Sequence, residues 1–232
     1  MENQVQEKKA PRIVLPGEFI DDVKGRKTNT GVYIENDKAY SQVVGVPRVG
    51  MYEVSVVPLS GKYIPSFGDK VIGIVQDVEI SGWRIDINSP YVGFLPLSEG
   101  VEEYVDAHAD LTKFFNTGDM ISCRISRVTK TKSVQCSMRD MMARKLSGGT
   151  VIRVTPSKIP RIIGKGGSMI NLIKESTKTE ISTGQNGCVW IKGENQALAM
   201  EAVLTIDKES HMPGLTEKIE KMVGGKINGT QE

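Results

Sequence analysis

The chain has 232 residues, room for one to three domains. Its 39% hydrophobic and 25% charged content suits a globular protein, with 24 glycines and 6% aromatics fitting small, turn-rich β domains better than one large enzyme core. No apolar run approaches the roughly 20 residues of a membrane span. The net charge of +2 conceals a polarity: Asp77 to Asp119 carries nine acidic residues against Arg84 and Lys113, whereas Arg124 to Lys178 carries thirteen Lys and Arg against Asp140 and Glu175, a net +11 that suggests a basic surface for a polyanion.

The opening "MENQVQEKKAP" is polar, without the apolar stretch of a secretory signal, and is expected to be a disordered tail. Residues 13–20 and 24–31 read as a short strand and a polar loop. "GVYIENDKAYSQVVGV" (31–46) reads as two strands around an Asn-Asp turn, and "GMYEVSVVPL" (50–59) as a strand ended by Pro58. The first 66 residues are therefore expected to form a small N-terminal β domain without a catalytic constellation.

Residues 67–139 hold five further strand-like segments, at 69–80, 83–88, 92–96, 119–128 and 133–138, punctuated by Gly82, Pro90 and Gly118. An acidic, weakly helical stretch at 99–115 separates the third from the fourth. Five short strands with a helical excursion after the third is the pattern of an oligonucleotide/oligosaccharide-binding (OB) barrel. Such barrels stack bases on exposed aromatics and hold phosphates with basic side chains. Trp83, Tyr91 and Phe94 are the stacking candidates, with a core role as the competing reading for Trp83 and Phe94. Arg84, Arg124, Arg127, Lys130 and Lys132 are the basic ones.

Residues 140–210 change character to the order β-α-α-β-β-α: "GTVIRV" (149–154), "SKIPRII" (157–163), "SMINLIKESTK" (168–178), "TEIST", "CVWIK", and a helix over 194–210 with Ala197, Leu198, Val203 and Leu204 turned inward. Ser157 and Ser168 are candidate helix caps, and Pro160 fits the first turn of its helix. Residues 211–232 add a helical tail, 213–227, whose docking the sequence leaves open.

Between the first two helices lies Gly164-Lys165-Gly166-Gly167. A nucleotide-binding P-loop needs a strand before it and a lysine after its last glycine, and a dinucleotide fingerprint needs a third glycine two residues further on; neither spacing is present. A clamp on a nucleic-acid backbone fits: glycines let backbone N–H groups approach a phosphodiester, the following helix points its positive end at it, and Lys165 adds a cation, with Arg161 one turn earlier. Ile163, Ile170 and Ile173 would floor the adjoining groove; for Ile170 and Ile173 core packing is the competing reading.

"IIGKGGSMI" (162–170) resembles the I-I-G-x-x-G-x-x-I pattern of KH domains, which implies a type I KH fold holding about four nucleotides along the loop. "GQNG" (184–187) is similar to the G-x-N-G signature of KH domains in exosome cap subunits; it reads as a structural turn, and Asn186 is assigned no RNA contact. "GDKVIGIVQDVEISGWRIDINSPYVGFLPLSEG" with the closing hairpin at 118–140 is similar to an S1 domain, although Pro96 stands where many S1 domains carry a histidine base contact. The N-terminal "LPGE", then S1, then KH resembles the Rrp4-type RNA-binding cap subunits of the archaeal exosome.

The resemblance implies a mainly β fold with α+β: an N-terminal small β domain, a central five-stranded OB-type S1 barrel and a C-terminal type I KH domain. It further implies single-stranded RNA as ligand and Arg161, Ile163, Gly164, Lys165, Gly166 and Gly167 as contact residues. The partner would be a hexameric RNase PH-type ring that carries the catalysis, with three cap subunits at its mouth. No cofactor or metal is expected: the two histidines, His108 and His211, have no partner at a motif spacing. A stand-alone S1/KH regulator of transcription or translation is the competing function.

Overall fold

The structure, a computed structural model, describes residues 12–28, 31–103, 110–210, 212 and 214–227. The expected disordered tail and both histidines lie outside them. The chain divides into two compact units, residues 1–61 and 62–232.

The first unit contains β1 (Phe19–Asp22), β2 (Lys27–Thr28), β3 (Val32–Glu35), β4 (Lys38–Ser41), β5 (Gly45–Val49) and β6 (Glu53–Pro58). They form two three-stranded sheets, ordered β1-β4-β3 and β2-β6-β5. The hairpin β3–β4 turns on Asn36 and Asp37, both left-handed at φ 50° and 58°, as a two-residue primed turn requires. The segment expected as one strand to residue 46 is broken after Ser41. Its hydroxyl bonds the backbone of Val43, bending the chain into the other sheet. Pro47, which cannot donate a ladder hydrogen bond, falls on the edge strand β5. Val14, Val32, Ala39, Val54 and Val56 fill the core.

The second unit begins with a barrel of β7 (Lys70–Glu79), β8 (Gly82–Asp86), β9 (Gly93–Pro96), β10 (Met120–Val128) and β11 (Val134–Ser137). The sheet order β11-β9-β8-β7-β10 closes through a β10–β11 pairing, and β9 and β11 run parallel. Closure removes exposed sheet edges and leaves one interior, filled by Val71, Val75, Ile85, Leu95, Ile121, Ile125 and Val134. Tyr63 belongs to this core and donates its hydroxyl to Asp69, so the barrel's packing starts ahead of residue 67.

Trp83 is 0% exposed. Its indole Nε1 donates to the Phe115 carbonyl at 2.9 Å, and the two rings meet edge to face at 5.1 Å. This corrects its candidacy as a base-stacking platform: Trp83 anchors the excursion between β9 and β10 to the barrel interior. Of that excursion the structure describes a short helix α1 (Leu97–Gly100) and a 3-10 turn, Leu111–Lys113; residues 104–109 lie outside the described residues.

A second correction concerns residues 140–149. Arg144–Leu146 form β12, which pairs with β10 in the register Met120↔Leu146 and so extends the barrel sheet. The KH elements follow: β13 (Thr150–Arg153), α2 (Ile159–Ile163), α3 (Ser168–Thr177), β14 (Thr179–Thr183), β15 (Cys188–Gly193) and α4 (Gln196–Glu209), with the antiparallel sheet order β13-β15-β14. Pro160 sits in the first turn of α2. Ser157 lies inside the preceding 3-10 turn, and α3 is capped by Gly167 rather than by Ser168.

In α4 the inward face is Ala199, Ala202, Val203 and Ile206, with Leu198 half-buried; Ala197 and Leu204, expected inside, point out. The two small alanines let neighbouring elements approach α4 closely. The tail helix α5 (Leu215–Ile227) buries Leu215, Ile219 and Val223, one per turn, in the KH core against α3 and α4.

The G-x-N-G turn joins KH to barrel. Asn186 is completely buried. Its amide Nδ2 donates to the carbonyls of Ile72 (2.7 Å) and Ile87 (2.9 Å), its Oδ1 accepts from the Ile72 N–H (3.3 Å), and its own carbonyl accepts from Asn88 Nδ2 (2.9 Å). Gln185 exchanges two further hydrogen bonds with the Lys70 backbone. A Cβ on Gly184 would lie 2.2 Å from Asn186 Oδ1, and Gly187 is left-handed at φ 79°, so both glycines are needed. Ile72, Leu146, Cys188 and Trp190 form a small apolar core beside the turn.

Replacing Asn186 with Ala strands buried backbone groups of Ile72 and Ile87, and should cost about 2–4 kcal/mol in urea unfolding. Trp83→Ala should cost about 3–5 kcal/mol by opening a cavity. Both read as lost stability, with RNA affinity per folded molecule little changed for Trp83→Ala.

Candidate nucleic-acid interface

The helix α2 ends at Gly164 (φ 75°, ψ 173°), a conformation that a side chain rarely adopts. A Cβ there would lie 2.8 Å from both the backbone N and the Cβ of Met169. Gly166 and Gly167 are also left-handed, at φ 62° and 83°. The loop is thus a tight turn that delivers the chain directly into α3, whose first turn opens beside it. Lys165 and Arg161 are exposed on this turn, and Gly166 has open space around its Cα. An anion placed there meets the positive end of α3 and a mobile ammonium group.

Beside the loop runs a groove of about 340 Å³. One wall is Ile163, Ile170 and Lys174 from the helices; the floor is the edge strand β14 at Ile181 and Thr183. Ile170 serves both the KH core and the groove, while Ile173 is wholly core. The opposite wall comes from outside the KH elements: Lys70 at the start of β7, and Met141, Met142 and Arg144 from the connection between barrel and KH. Arg144 pairs with Glu180 and lies 5.8 Å from the Trp190 ring.

On the barrel, cross-strand register collects several expected residues. Arg84 stands opposite Phe94, Phe94 beside Gln135, and Gln135 opposite Arg127, so these four side chains share the outer face in one row across β8, β9, β11 and β10. Arg84 and Arg127 are exposed and Phe94 is half-buried; Arg84 also pairs with Glu79. Lys130 and Lys132 are exposed in the adjoining turn, which is pinned by Thr129 and Ser133. Tyr91 is half-buried against the barrel core.

Arg124 departs from this group. Its guanidinium pairs with Asp140 and donates to the Gly68 carbonyl at 2.9 Å, which places it towards the KH groove. Backbone hydrogen bonding to the Met142 N–H, then the Arg124 guanidinium, hold the Asp140 carboxyl below the usual range.

Sequence reasoning missed Lys70, Lys174, Met141, Met142 and Arg144. Lys174 was findable, since it follows Ile170 by four residues on α3; the others become neighbours of the groove only through the Asn186 junction. Among the described residues no group of three or more His, Cys, Asp or Glu is placed to hold a metal ion.

Residues 62–127 match the family model "RRP4, S1 domain" and residues 149–197 the model "KH domain". The exosome complex component Rrp4 of Pyrococcus horikoshii is 39% identical over 227 residues, covering 95% of this chain and 85% of that protein. The protein of the same description from Picrophilus torridus is 41% identical, covering 95% and 97%. A crystal structure of a candidate exosome complex RNA-binding protein superposes with a TM-score of 0.67 at 30% identity, covering 74% of this chain and all of that one. With an S1 barrel and a KH domain locked in tandem, and relatives this similar over nearly their whole length, the chain belongs to the Rrp4 family of exosome complex components.

Proposed function

We propose that the chain is a non-catalytic RNA-binding subunit that gathers single-stranded RNA on its S1 and KH surfaces. It would direct the 3′ end into a phosphorolytic exoribonuclease ring of RNase PH type, with three copies at the ring's mouth. The observation that carries the reading is the pairing, within one compact unit, of an open basic loop-and-groove on the KH domain with an Arg84–Phe94–Arg127 row on the barrel. Each suits a single strand. A glycine loop holds the sugar-phosphate backbone, and an aromatic flanked by cations takes a base face and its phosphate.

Docking on the ring falls to the first unit. It exposes Ile13, Leu15, Met51 and Tyr52, large apolar side chains of the kind that protein contacts cover. On this reading the chemistry belongs to the partner ring.

Lys165→Glu combined with Gly166→Asp should weaken binding of a single-stranded oligonucleotide at least about tenfold. The same variant should lower the salt slope by about 0.7 for each phosphate it no longer neutralises, with thermal melting lowered only by the roughly 1 kcal/mol strain of a side chain at the left-handed Gly166. An unchanged affinity and slope would remove the KH loop from the reading. Phe94→Ser should weaken the same binding about tenfold by removing a stacking face. Native mass measurement after co-purification tests the assembly: a complex with about three copies per ring is expected, and a monomer that never accompanies a ring would favour the stand-alone regulator.

A further inference from the structure

Phe67, Met141 and Met142 are large apolar side chains left open to solvent in the second unit: Phe67 is 78% exposed, Met141 fully so and Met142 63%. They are connected through one set of polar contacts. The Gly68 carbonyl, next to Phe67, accepts from Arg124; Arg124 pairs with Asp140; and Asp140 Oδ1 accepts from the Met142 N–H at 2.8 Å. Arg124 stands directly opposite Lys70 in the β7–β10 register, and Lys70 lines the KH groove together with Met141 and Met142. These contacts link the segment that carries Phe67 to the groove beside the glycine loop.

The junction's charge is basic. Lys70, Arg124, Arg144 and Lys174 gather there against Asp140 and Glu180. Burial lowers the pKa of Lys70, and the positive charges of Arg144, Lys174 and Arg124 press in the same direction against the opposing pull of Asp140. Like charges held this close are stabilised by a polyanion that passes between them.

We propose that this junction is a third RNA-binding surface, a bridge that carries one single strand from the KH groove onto the barrel. Lys70 and Arg124 take phosphates, and Phe67 and the Met141–Met142 pair take base faces. The proposal rests on the RNA-binding reading above. Single-stranded RNA is the occupant because the exposed apolar groups alternate with cations. Unstacked bases offer flat faces to an aromatic ring or a polarisable thioether, whereas a duplex hides them.

The test uses the full chain and two labelled oligouridines, one of about four nucleotides, the length a KH clamp holds, and one of about twelve. Phe67→Ser and Lys70→Gln should each weaken binding of the longer RNA about three- to tenfold. Phe67→Ser should leave the shorter one within about twofold. Lys165→Glu should weaken both. Ultraviolet crosslinks from the longer RNA should map to the peptides that hold Phe67 or Met141–Met142.

The bridge is overturned if Phe67→Ser, Lys70→Gln and Met141→Ser with Met142→Ser all bind the longer RNA like the unaltered chain while Lys165→Glu does not. It is equally overturned if those apolar substitutions change only self-association or ring co-purification. If Lys165→Glu and Phe94→Ser also leave RNA binding untouched, the RNA-binding reading itself fails instead. Thermal melting identifies any variant that has lost its fold.

Discussion

The arrangement depends on one buried side-chain amide. Asn186 satisfies three backbone groups at once, two on Ile72 of β7 and one on Ile87 just past the end of β8, and water cannot reach them. A buried polar network of this kind is stabilising only when every member is paired, so it tolerates one docking geometry and penalises the rest. That constraint turns two small domains into one body. It also decides what faces the KH groove: with the turn seated on Lys70 and Ile72, the start of β7 and the connection through β12 become the groove's second wall.

The net +11 between Arg124 and Lys178 is consequently distributed rather than concentrated. Arg127, Lys130 and Lys132 stay with the barrel's outer face, Arg161 and Lys165 with the glycine loop, and Arg124, Arg144 and Lys174 with the junction between them. Two of these cations are tied to a carboxylate, Arg124 to Asp140 and Arg144 to Glu180, as is Arg84 of the barrel row to Glu79. Exposed pairs contribute little stability. Their more useful effect is to hold planar guanidinium groups in place without burying them, so that a phosphate meets a pre-oriented donor.

The element order and the glycine loop were legible in the sequence because they rest on local rules. Strand alternation, the Asn36-Asp37 turn, Pro160 in a first helical turn and the helical spacing of Met169, Ile170 and Ile173 each follow from a few neighbouring residues. What was not legible depends on closure and docking. Trp83 reads from its flanking residues as either a platform or a core residue, and only barrel closure, which points it at Phe115, decides for the core. The phase of α4 shifts because Ala199 and Ala202, small rather than strongly apolar, permit the closest approach. The strand Arg144–Leu146 pairs with β10, a non-local partner that no periodicity reveals.

The two glycine signatures show how one residue type serves opposite ends. At Gly164, Gly166 and Gly167 the missing Cβ keeps a backbone turn open, so that its N–H face and Lys165 remain available to an incoming anion. At Gly184 and Gly187 it lets a backbone turn be buried, bringing Asn186 flush against β7. The first forms the candidate phosphate site, and the second fixes where that site stands relative to the barrel while itself staying buried. On the proposed reading, a chain carrying the loop without the turn would still hold a phosphate; it would lose the junction at Lys70 and Arg124 over which a strand would continue from one domain to the other.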